Sequence, residues 1–177
     1  MCNTDSIVST QKFGLPAWVG DSPYVLILGT FPGEKSLKSH AYYQNKSRNS
    51  FYKIMGKLFD RSEDMSDFDF ITGNHIALWD CMKNADREGS LDSNIKDYVP
   101  NSISEFLKQH PTIRAIILNG TGDTTKVFNK HFSDLYGRTW KIISLSSTSN
   151  SLPMTFEEKL EAWKVVKDLV DFYAKEH

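Results

Sequence analysis

Residues 24–33 read YVLILGTFPG, an apolar run that ends in a turn rich in glycine and proline. A continuous apolar run without polar alternation is typical of a strand buried on both faces, as in a parallel sheet. In such sheets ligands bind beyond the carboxyl ends of the strands. This stretch therefore predicts an α/β fold and a site around residues 29–33.

Three further apolar runs repeat the pattern, at residues 76–82, 113–118 and 140–145. Helical spacing predicts helices over 50–59, within 92–109, from Asp123 or Thr124 onward, and over 155–174, where Thr155 and Glu158 form a capping-box pattern. Strands separated by helices predict a three-layer α/β/α sandwich around a four-stranded parallel sheet. We expect one domain over residues 1–177, with 1–12 loosely ordered.

Composition narrows the class of protein. The chain is 40% hydrophobic and 24% charged, which is typical of a globular protein. No signal peptide or run of about 18 apolar residues is present, so we expect a cytoplasmic protein without a membrane partner. Two cysteines, Cys2 and Cys81, and five histidines without ligand spacing give no support for a metal. We expect no cofactor, no metal, and a monomer.

Local charge differs from the formal net charge of −1. Between residues 35 and 59 there is no acidic residue, and aromatic side chains alternate with basic ones. The segment is either a solvated loop and helix face, or a surface that follows phosphates and stacks bases. Its basic members are Lys35, Lys38, Lys46, Arg48, Lys53 and Lys57, and its aromatic members include Tyr42, Tyr43, Phe51 and Tyr52.

The predicted strands all end in polar or glycine-rich residues. These ends are 29–33 (GTFPG), Asp80, 119–120 (NG) and 146–150 (SSTSN). Because the carboxyl ends of parallel strands meet at one edge of the sheet, we expect the four segments to converge.

Eight ordered segments resemble the uracil-DNA glycosylase superfamily, and most closely its DNA-deoxyinosine branch, which is related to the mismatch-specific uracil-DNA glycosylases. The resemblance spans roughly residues 13–165 and rests on FGLPAW, LILGTFPGEKS, YYQNKSRNSFY, IALWDC, REGSLDS, IRAIILNG, STS and FEEKLEAW. It implies a DNA glycosylase fold and a DNA substrate that contains deaminated bases.

The resemblance also implies a catalytic residue, but at an unusual position. In most of the superfamily an Asp or Asn stands two residues after the first glycine of the turn, and here that position is Phe31. The deoxyinosine branch is similar in having an apolar residue there and an Asn in the next segment. By that resemblance Asn49 orients the attacking water. The alternative is that Asn49 caps the helix that follows, and the two roles are compatible.

Base recognition is expected at the strand ends. A carboxylate at Asp80 would accept from the ring N–H that uracil and hypoxanthine share, and backbone N–H groups of residues 30–33 would donate to the carbonyl. Alternatively, Asp80 braces a loop, the tyrosines pack in the core, and Asn119 only forms a turn. The predicted base-binding residues are Gly29, Thr30, Phe31, Pro32, Gly33, either Tyr42 or Tyr43, Asp80 and Asn119.

The DNA backbone is expected to contact Lys46, Arg48 and the segment Ser147, Thr148 and Ser149. Relatives typically carry an LPSTSPA-like sequence there, whereas this chain has LSSTSNS, which leaves the preorganisation of the loop open. The segment 87–90 (REGS) either reaches DNA or is a surface loop.

The sequence thus predicts a monofunctional DNA glycosylase that removes hypoxanthine, uracil or both in base excision repair. Two alternatives from other classes stay open because of Phe31 and the changed last segment. One is a non-catalytic binder of modified nucleic acid, and the other is a hydrolase of small nucleotides.

Overall fold

The computed structural model describes residues 10–176. Its strands form two sheets, with order β3-β2-β6-β7 in the parallel sheet and β1-β4-β5 in a smaller antiparallel one. The predicted four-stranded parallel sheet is therefore confirmed. The strands are β1 (Gln11–Phe13), β2 (Val25–Gly29), β3 (Ile76–Asp80), β4 (Met82–Asp86), β5 (Asp97–Pro100), β6 (Ala115–Asn119) and β7 (Lys141–Leu145).

Helices cover both faces of the parallel sheet, which confirms the three-layer sandwich. The helices are α1 (Glu34–Ser39), α2 (Phe51–Leu58), α3 (Asp67–Gly73), α4 (Ile103–Gln109), α5 (Asp123–Phe132) and α6 (Phe156–Ala174). The capping box at Thr155 and Glu158 is present at the start of α6. The short helices α1 and α3 were not predicted, because six or seven residues give too little periodicity to distinguish a helix from a loop.

The core follows the alternation of side chains along the buried strands. On one face, Val25 and Ile27 of β2 pack with Phe51 of α2 and Trp163 of α6. On the other face, Leu26 and Leu28 pack with residues of α4 and α5, including Ile103, Leu107, Phe128 and Phe132. Every residue of β2 is buried, as a strand covered by two helical layers requires.

The second parallel strand ends at Asp80, where its end was predicted. The apolar run 76–82 continues beyond that end, because β3 stops at Asp80 and β4 begins at Met82 in the other sheet. Cys81 N–H donates to the carbonyl of Gly29 and Met82 N–H donates to that of Thr30, so the chain crosses over the turn after β2 instead of extending the strand. The antiparallel sheet therefore lies beyond the carboxyl edge of the parallel sheet, beside the predicted site.

Part of the segment 1–12, which we expected to be loosely ordered, belongs to a strand. Residues 11–13 form β1, which pairs with β4, and residues 1–9, including Cys2, lie outside the described residues. Within residues 10–176, no helix is long and apolar enough to cross a membrane.

Candidate active site

The strand ends converge as the sheet topology requires. Gly29 at the end of β2 is paired with Asp80 at the end of β3, and Asn119 at the end of β6 is paired with Leu145 of β7. The turn of residues 29–33 and the loop of residues 146–150 follow directly from these strands. We refer to that loop as the 146–150 loop.

Asp80 lies against the backbone of Gly29. A Cβ atom on Gly29 would stand 2.5 Å from Asp80 Oδ1, so only glycine leaves room for the carboxyl group. Asp80 is buried, and its Oδ2 has no hydrogen-bond partner among the described residues. Burial and the charge of Asp92 raise the pKa of Asp80 to about 7, although Arg87 opposes the shift. The carboxyl group thus changes charge near neutral pH.

Tyr42 is a core residue by its contacts. Its ring is 2% exposed and packs edge-on against Trp18. Its hydroxyl donates to the Pro16 carbonyl over 2.9 Å, and its own carbonyl accepts from the Tyr52 hydroxyl over 2.7 Å. All these partners are internal, so Tyr42 offers no face for a base.

Tyr43 lies at the site itself. Its backbone has a φ of +56°, a left-handed conformation that is uncommon for a bulky residue. The ring stacks on Phe51 with centroids 4.1 Å apart, and the hydroxyl accepts from Asn119 Nδ2 over 3.2 Å. A Cβ on Gly29 would stand 3.4 Å from that hydroxyl, which places it beside Asp80.

The turn after β2 is packed rather than open. Thr30 is buried and its hydroxyl hydrogen-bonds with that of Thr124 over 2.9 Å. Phe31, the position at which most of the superfamily has its catalytic residue, is 7% exposed and packs with Met82 and Ala85. Phe31 therefore supplies an apolar wall and has no group for proton transfer.

The rest of the turn is attached to the 87–92 loop, which follows β4. The carbonyl of Pro32 accepts from Arg87 Nη2. Gly33 stands at the N-cap of α1, and the first backbone N–H of that helix, at Glu34, donates to Ser90 Oγ over 2.9 Å. The segment that resembled a surface loop in the sequence therefore fixes the position of the turn.

Asn49 is adjacent to the 146–150 loop. It forms an antiparallel bridge with Ser149, and the neighbouring Ser50 N–H donates to the Thr148 carbonyl over 2.9 Å. The N-cap of α2 is Ser50 and not Asn49. The side-chain Oδ1 of Asn49 nevertheless accepts from the Phe51 N–H, the first of the helix, over 2.9 Å. An amide oxygen has two lone pairs, and one remains available for a water molecule.

Asn119 uses its side chain to hold the same loop. Its Nδ2 donates to Thr148 Oγ1 over 3.0 Å as well as to Tyr43, and its Oδ1 accepts from the Thr148 N–H over 3.0 Å. Asn119 and Thr148 are both buried. In this arrangement Asn119 braces the loop and Tyr43, and Thr148 faces the protein interior.

Helix α6 supports the loop from below. The Lys159 ammonium group donates to the Ser149 carbonyl over 2.8 Å, and the Trp163 indole N–H donates to the Ser146 carbonyl over 2.9 Å. Lys159 is 1% exposed, and burial lowers the pKa of its ammonium group. Both side chains of α6 thus bind backbone carbonyls of the 146–150 loop.

The basic residues near the site are not equivalent. Lys46 forms an ion pair with Asp67 at 3.2 Å and lies over the ring of Tyr52. Arg48 is exposed and forms no ion pair with any residue from 10 to 176, while its carbonyl accepts from the Asn150 N–H. Arg48 is therefore the more available cation beside the loop.

The sequence indicated neither the burial of Arg87 nor the presence of Asp92 beside the site. Arg87 is fully buried, and Asp92, whose carboxylate hydrogen-bonds with Thr30, has a pKa raised by burial and by Asp123. Their membership in REGSLDS, one of the matching segments, was the available signal. In the sequence both residues are indistinguishable from those of a solvated loop, because nothing in the local pattern indicates burial.

The strand ends and the adjoining loops carry polar and aromatic groups of several kinds. They combine an aromatic ring at Tyr43, a buried acceptor at Asp80, a polar loop and an amide at Asn49. In the portion of the chain from 10 to 176, no group of three or more His, Cys, Asp or Glu side chains is arranged to hold a metal ion.

Comparisons with known proteins agree with this geometry. The family model for the uracil DNA glycosylase superfamily matches residues 16–169, so the chain belongs to this superfamily. Two similar proteins are named hypoxanthine DNA glycosylase. The one from Methanosarcina barkeri is 31% identical over 116 residues, which cover 62% of this chain and 72% of the relative. The one from Methanosarcina acetivorans is 34% identical over 115 residues, which cover 62% and 71%.

A solved structure supports the same assignment of fold. The solution NMR structure of a protein from Methanosarcina acetivorans, provisionally named a uracil DNA glycosylase, superposes with a TM-score of 0.74 at 28% sequence identity. The match covers 91% of this chain and 99% of that one. The resemblance that the eight sequence segments indicated is therefore confirmed.

Proposed function

We propose that the chain is a DNA glycosylase that hydrolyses the N-glycosidic bond of deaminated bases, with hypoxanthine as its main substrate. The observation that carries the proposal is the environment of Asp80. Its Oδ2 is buried and has no partner among the described residues, and it lies at the strand ends of a uracil DNA glycosylase fold. The names of the two curated relatives favour hypoxanthine.

The proposed reading of the base depends on one edge of the ring. Hypoxanthine presents a ring N–H beside a carbonyl, whereas adenine presents a bare ring nitrogen beside an amino group. Ionised Asp80 only accepts hydrogen bonds, so it pairs with the N–H and leaves adenine without a partner. Backbone N–H groups of residues 30–33 are proposed to donate to the carbonyl. Uracil presents the same edge and is the proposed second substrate.

Tyr43 is the proposed stacking partner of the extruded base, in preference to Tyr42. A stacked aromatic ring contributes about 1–3 kcal/mol per base. Because Asp80 Oδ2 is buried before binding, the side chains around it have to move when the base enters. Extrusion costs a few kcal/mol and is least costly for a mispaired base, which favours a deaminated base within duplex DNA.

Hydrolysis of an N-glycosidic bond passes through a sugar with oxocarbenium character. The attacking water then needs orientation more than full deprotonation, and the departing base needs stabilisation of its negative charge. Asn49 is proposed to orient the water through its side-chain oxygen. The hydroxyls of the half-buried Ser147 and Ser149, together with the exposed Arg48, are proposed to contact the DNA backbone. Loss of the base would create an abasic site, so the proposed role of the activity is in base excision repair.

A strand-scission assay tests the proposal. End-labelled duplexes that carry hypoxanthine, uracil or adenine at one position are incubated with the protein and then treated with alkali. We expect scission at hypoxanthine, weaker scission at uracil, none at adenine, and none without alkali. Binding of the hypoxanthine duplex without scission would favour a non-catalytic binder. Release of hypoxanthine only from the free nucleotide would favour a nucleotide hydrolase.

The role of Asn49 has its own test. Asn49→Ala removes both the water-orienting oxygen and the acceptor for the Phe51 N–H, whereas Asn49→Ser keeps an acceptor for the helix start. We expect both variants to lose about 100-fold or more in single-turnover rate while they still bind the hypoxanthine duplex. If Asn49→Ser has the wild-type rate, Asn49 serves only as an acceptor for the first N–H of α2.

A further inference from the structure

Arg87 is the buried charge that the proposed mechanism leaves unused. It follows β4 and is 0% exposed. Removing a guanidinium group from water costs several kcal/mol unless its charge and its N–H groups find partners. A buried arginine at this position therefore requires partners for its charge and for its N–H groups.

Two of the N–H groups of Arg87 join separate segments of the chain. Its Nη2 donates to the Pro32 carbonyl over 2.5 Å, and its Nε donates to the Gly89 carbonyl over 2.8 Å. Its guanidinium lies 5.0 Å from the centre of the Phe31 ring, a distance at which a cation and an aromatic face attract. Arg87 thus holds the turn of residues 29–33 against the 87–92 loop.

The charge of Arg87 acts on Asp80 without forming an ion pair with it. No ion pair forms between them within 4.0 Å, and both Asp80 Oδ2 and Arg87 Nη1 lack a hydrogen-bond partner among residues 10–176. A direct ion pair would occupy the carboxylate oxygen that the base needs. A cation at longer range favours the ionised carboxylate and leaves that oxygen open.

We propose that Arg87 is a positioning residue for base recognition, which fixes the turn of residues 29–33 and keeps Asp80 in the form that accepts a hydrogen bond. The inference rests on the proposed glycosylase function. Among the described groups that act on Asp80, Arg87 favours its ionised form and Asp92 opposes it. The neighbouring Tyr42, Tyr43 and Cys81 are uncharged at neutral pH, since burial raises the pKa of each.

The test combines a direct titration with a rate profile. The carboxyl carbon of Asp80 is followed by NMR in protein labelled with ¹³C-aspartate, and the Asp80→Asn variant assigns its signal. Single-turnover excision of hypoxanthine is measured over the same pH range. Arg87→Gln removes the charge but keeps donors near the two carbonyls. Arg87→Lys keeps the charge on a shorter stem. Lys12→Met is the matched control, because Lys12 also donates to the Gly89 carbonyl but from the solvent side.

In Arg87→Gln we expect the titration of Asp80 and the acid limb of the rate profile to move together to higher pH by about one unit. Arg87→Lys is expected to move both by less. Lys12→Met is expected to leave both midpoints in place, whatever its effect on the rate. In Asp80→Asn the acid limb should be lost, and adding Arg87→Gln to it should not restore one.

The proposal fails if Arg87→Gln lowers the rate equally at every pH while the Asp80 midpoint stays unchanged, because Arg87 would then be only a scaffold. If Arg87→Gln does not fold, Arg87→Met, which also removes the charge but keeps an unbranched stem, replaces it, and an unmoved Asp80 midpoint in that variant contradicts the proposal in the same way. The NMR titration does not depend on catalysis. A wild-type protein without glycosylase activity therefore refutes the proposed function, and the titration still decides the role of Arg87.

Discussion

At Asp80 the requirements of stability and of base recognition oppose each other. The proposed recognition uses the ionised carboxyl group, which only accepts hydrogen bonds, yet Asp80 is buried in a site where burial and Asp92 favour the neutral acid. Its pKa of about 7 means that near neutral pH both forms are present. The protein is therefore expected to give up stability at this residue in exchange for a functional acceptor.

Replacement of Asp80 by Asn reveals this cost as a function of pH. The folded pKa of about 7 lies above the ordinary value of about 4, so wild-type stability falls as pH rises from about 4 to 7 and stays lower above that. Asp80→Asn cannot ionise and should not lose stability in this way. The difference in unfolding free energy between Asp80→Asn and the wild type should therefore grow over this window, by about 4 kcal/mol at most. Urea unfolding at pH 4.5 and pH 8, about the two ends of the window, measures it.

The exposed residue Asp134 provides the control, since Asp134→Asn should show no comparable growth with pH. An equal effect of Asp80→Asn at both pH values would mean that Asp80 is not the titrating group. The base preference of the same variant should also broaden, because an amide offers both a donor and an acceptor.

At the scale of elements, the 146–150 loop is held by donors from three other segments. Asn119 at the end of β6, Ser50 before α2, and Lys159 and Trp163 of α6 all bond to it. We expect these bonds to position the loop in the absence of the prolines of an LPSTSPA-like sequence. The bonds also link the loop to the segment that carries Asn49, so the proposed water and the DNA backbone contacts share one support.

Removal of one of these donors should separate activity from stability. Lys159→Met deletes the bond to the Ser149 carbonyl but keeps an unbranched stem in the core, and replacing a buried charge with an apolar side chain is often neutral or stabilising. We expect a melting temperature equal to or above that of the wild type, with single-turnover excision about tenfold slower because the loop is less well positioned.

Lys164→Met, which changes an exposed lysine of the same helix, should alter neither quantity. Amide hydrogen exchange at Asn150, whose N–H donates to the Arg48 carbonyl, should quicken in Lys159→Met and not in the control. A full rate of excision in Lys159→Met would show that the bond from α6 is not needed to order the loop.

The elements were predictable from sequence to different degrees. The four parallel strands followed from apolar runs, and their register then brought Gly29 beside Asp80. The choice between Tyr42 and Tyr43 was not predictable, since it depends on the left-handed backbone at Tyr43. The burial of Arg87 was equally hidden, because its partner at Pro32 lies 55 residues away along the chain.

At the scale of the whole molecule, the net charge of −1 gives no general attraction for DNA, so binding depends on where the cations lie. Several lysines are already paired with acidic side chains, including Lys12 with Glu34 and Lys46 with Asp67. Exposed cations near the 146–150 loop are therefore the expected source of phosphate contacts. The number of such contacts sets how steeply affinity falls with salt.

Arg48 and Lys46 should differ in that measurement, although they lie two positions apart in the sequence. Neutralising one phosphate contributes about 0.9 to the slope of log affinity against log salt concentration. Arg48→Ala should reduce the slope by about that amount, whereas Lys46→Ala should reduce it less, because Lys46 already has Asp67 as a partner. Fluorescence anisotropy with an undamaged labelled duplex, titrated at several salt concentrations, gives both slopes. Equal reductions in the two variants would mean that the ion pair with Asp67 opens on binding, and an unchanged slope in Arg48→Ala would remove Arg48 from the DNA surface.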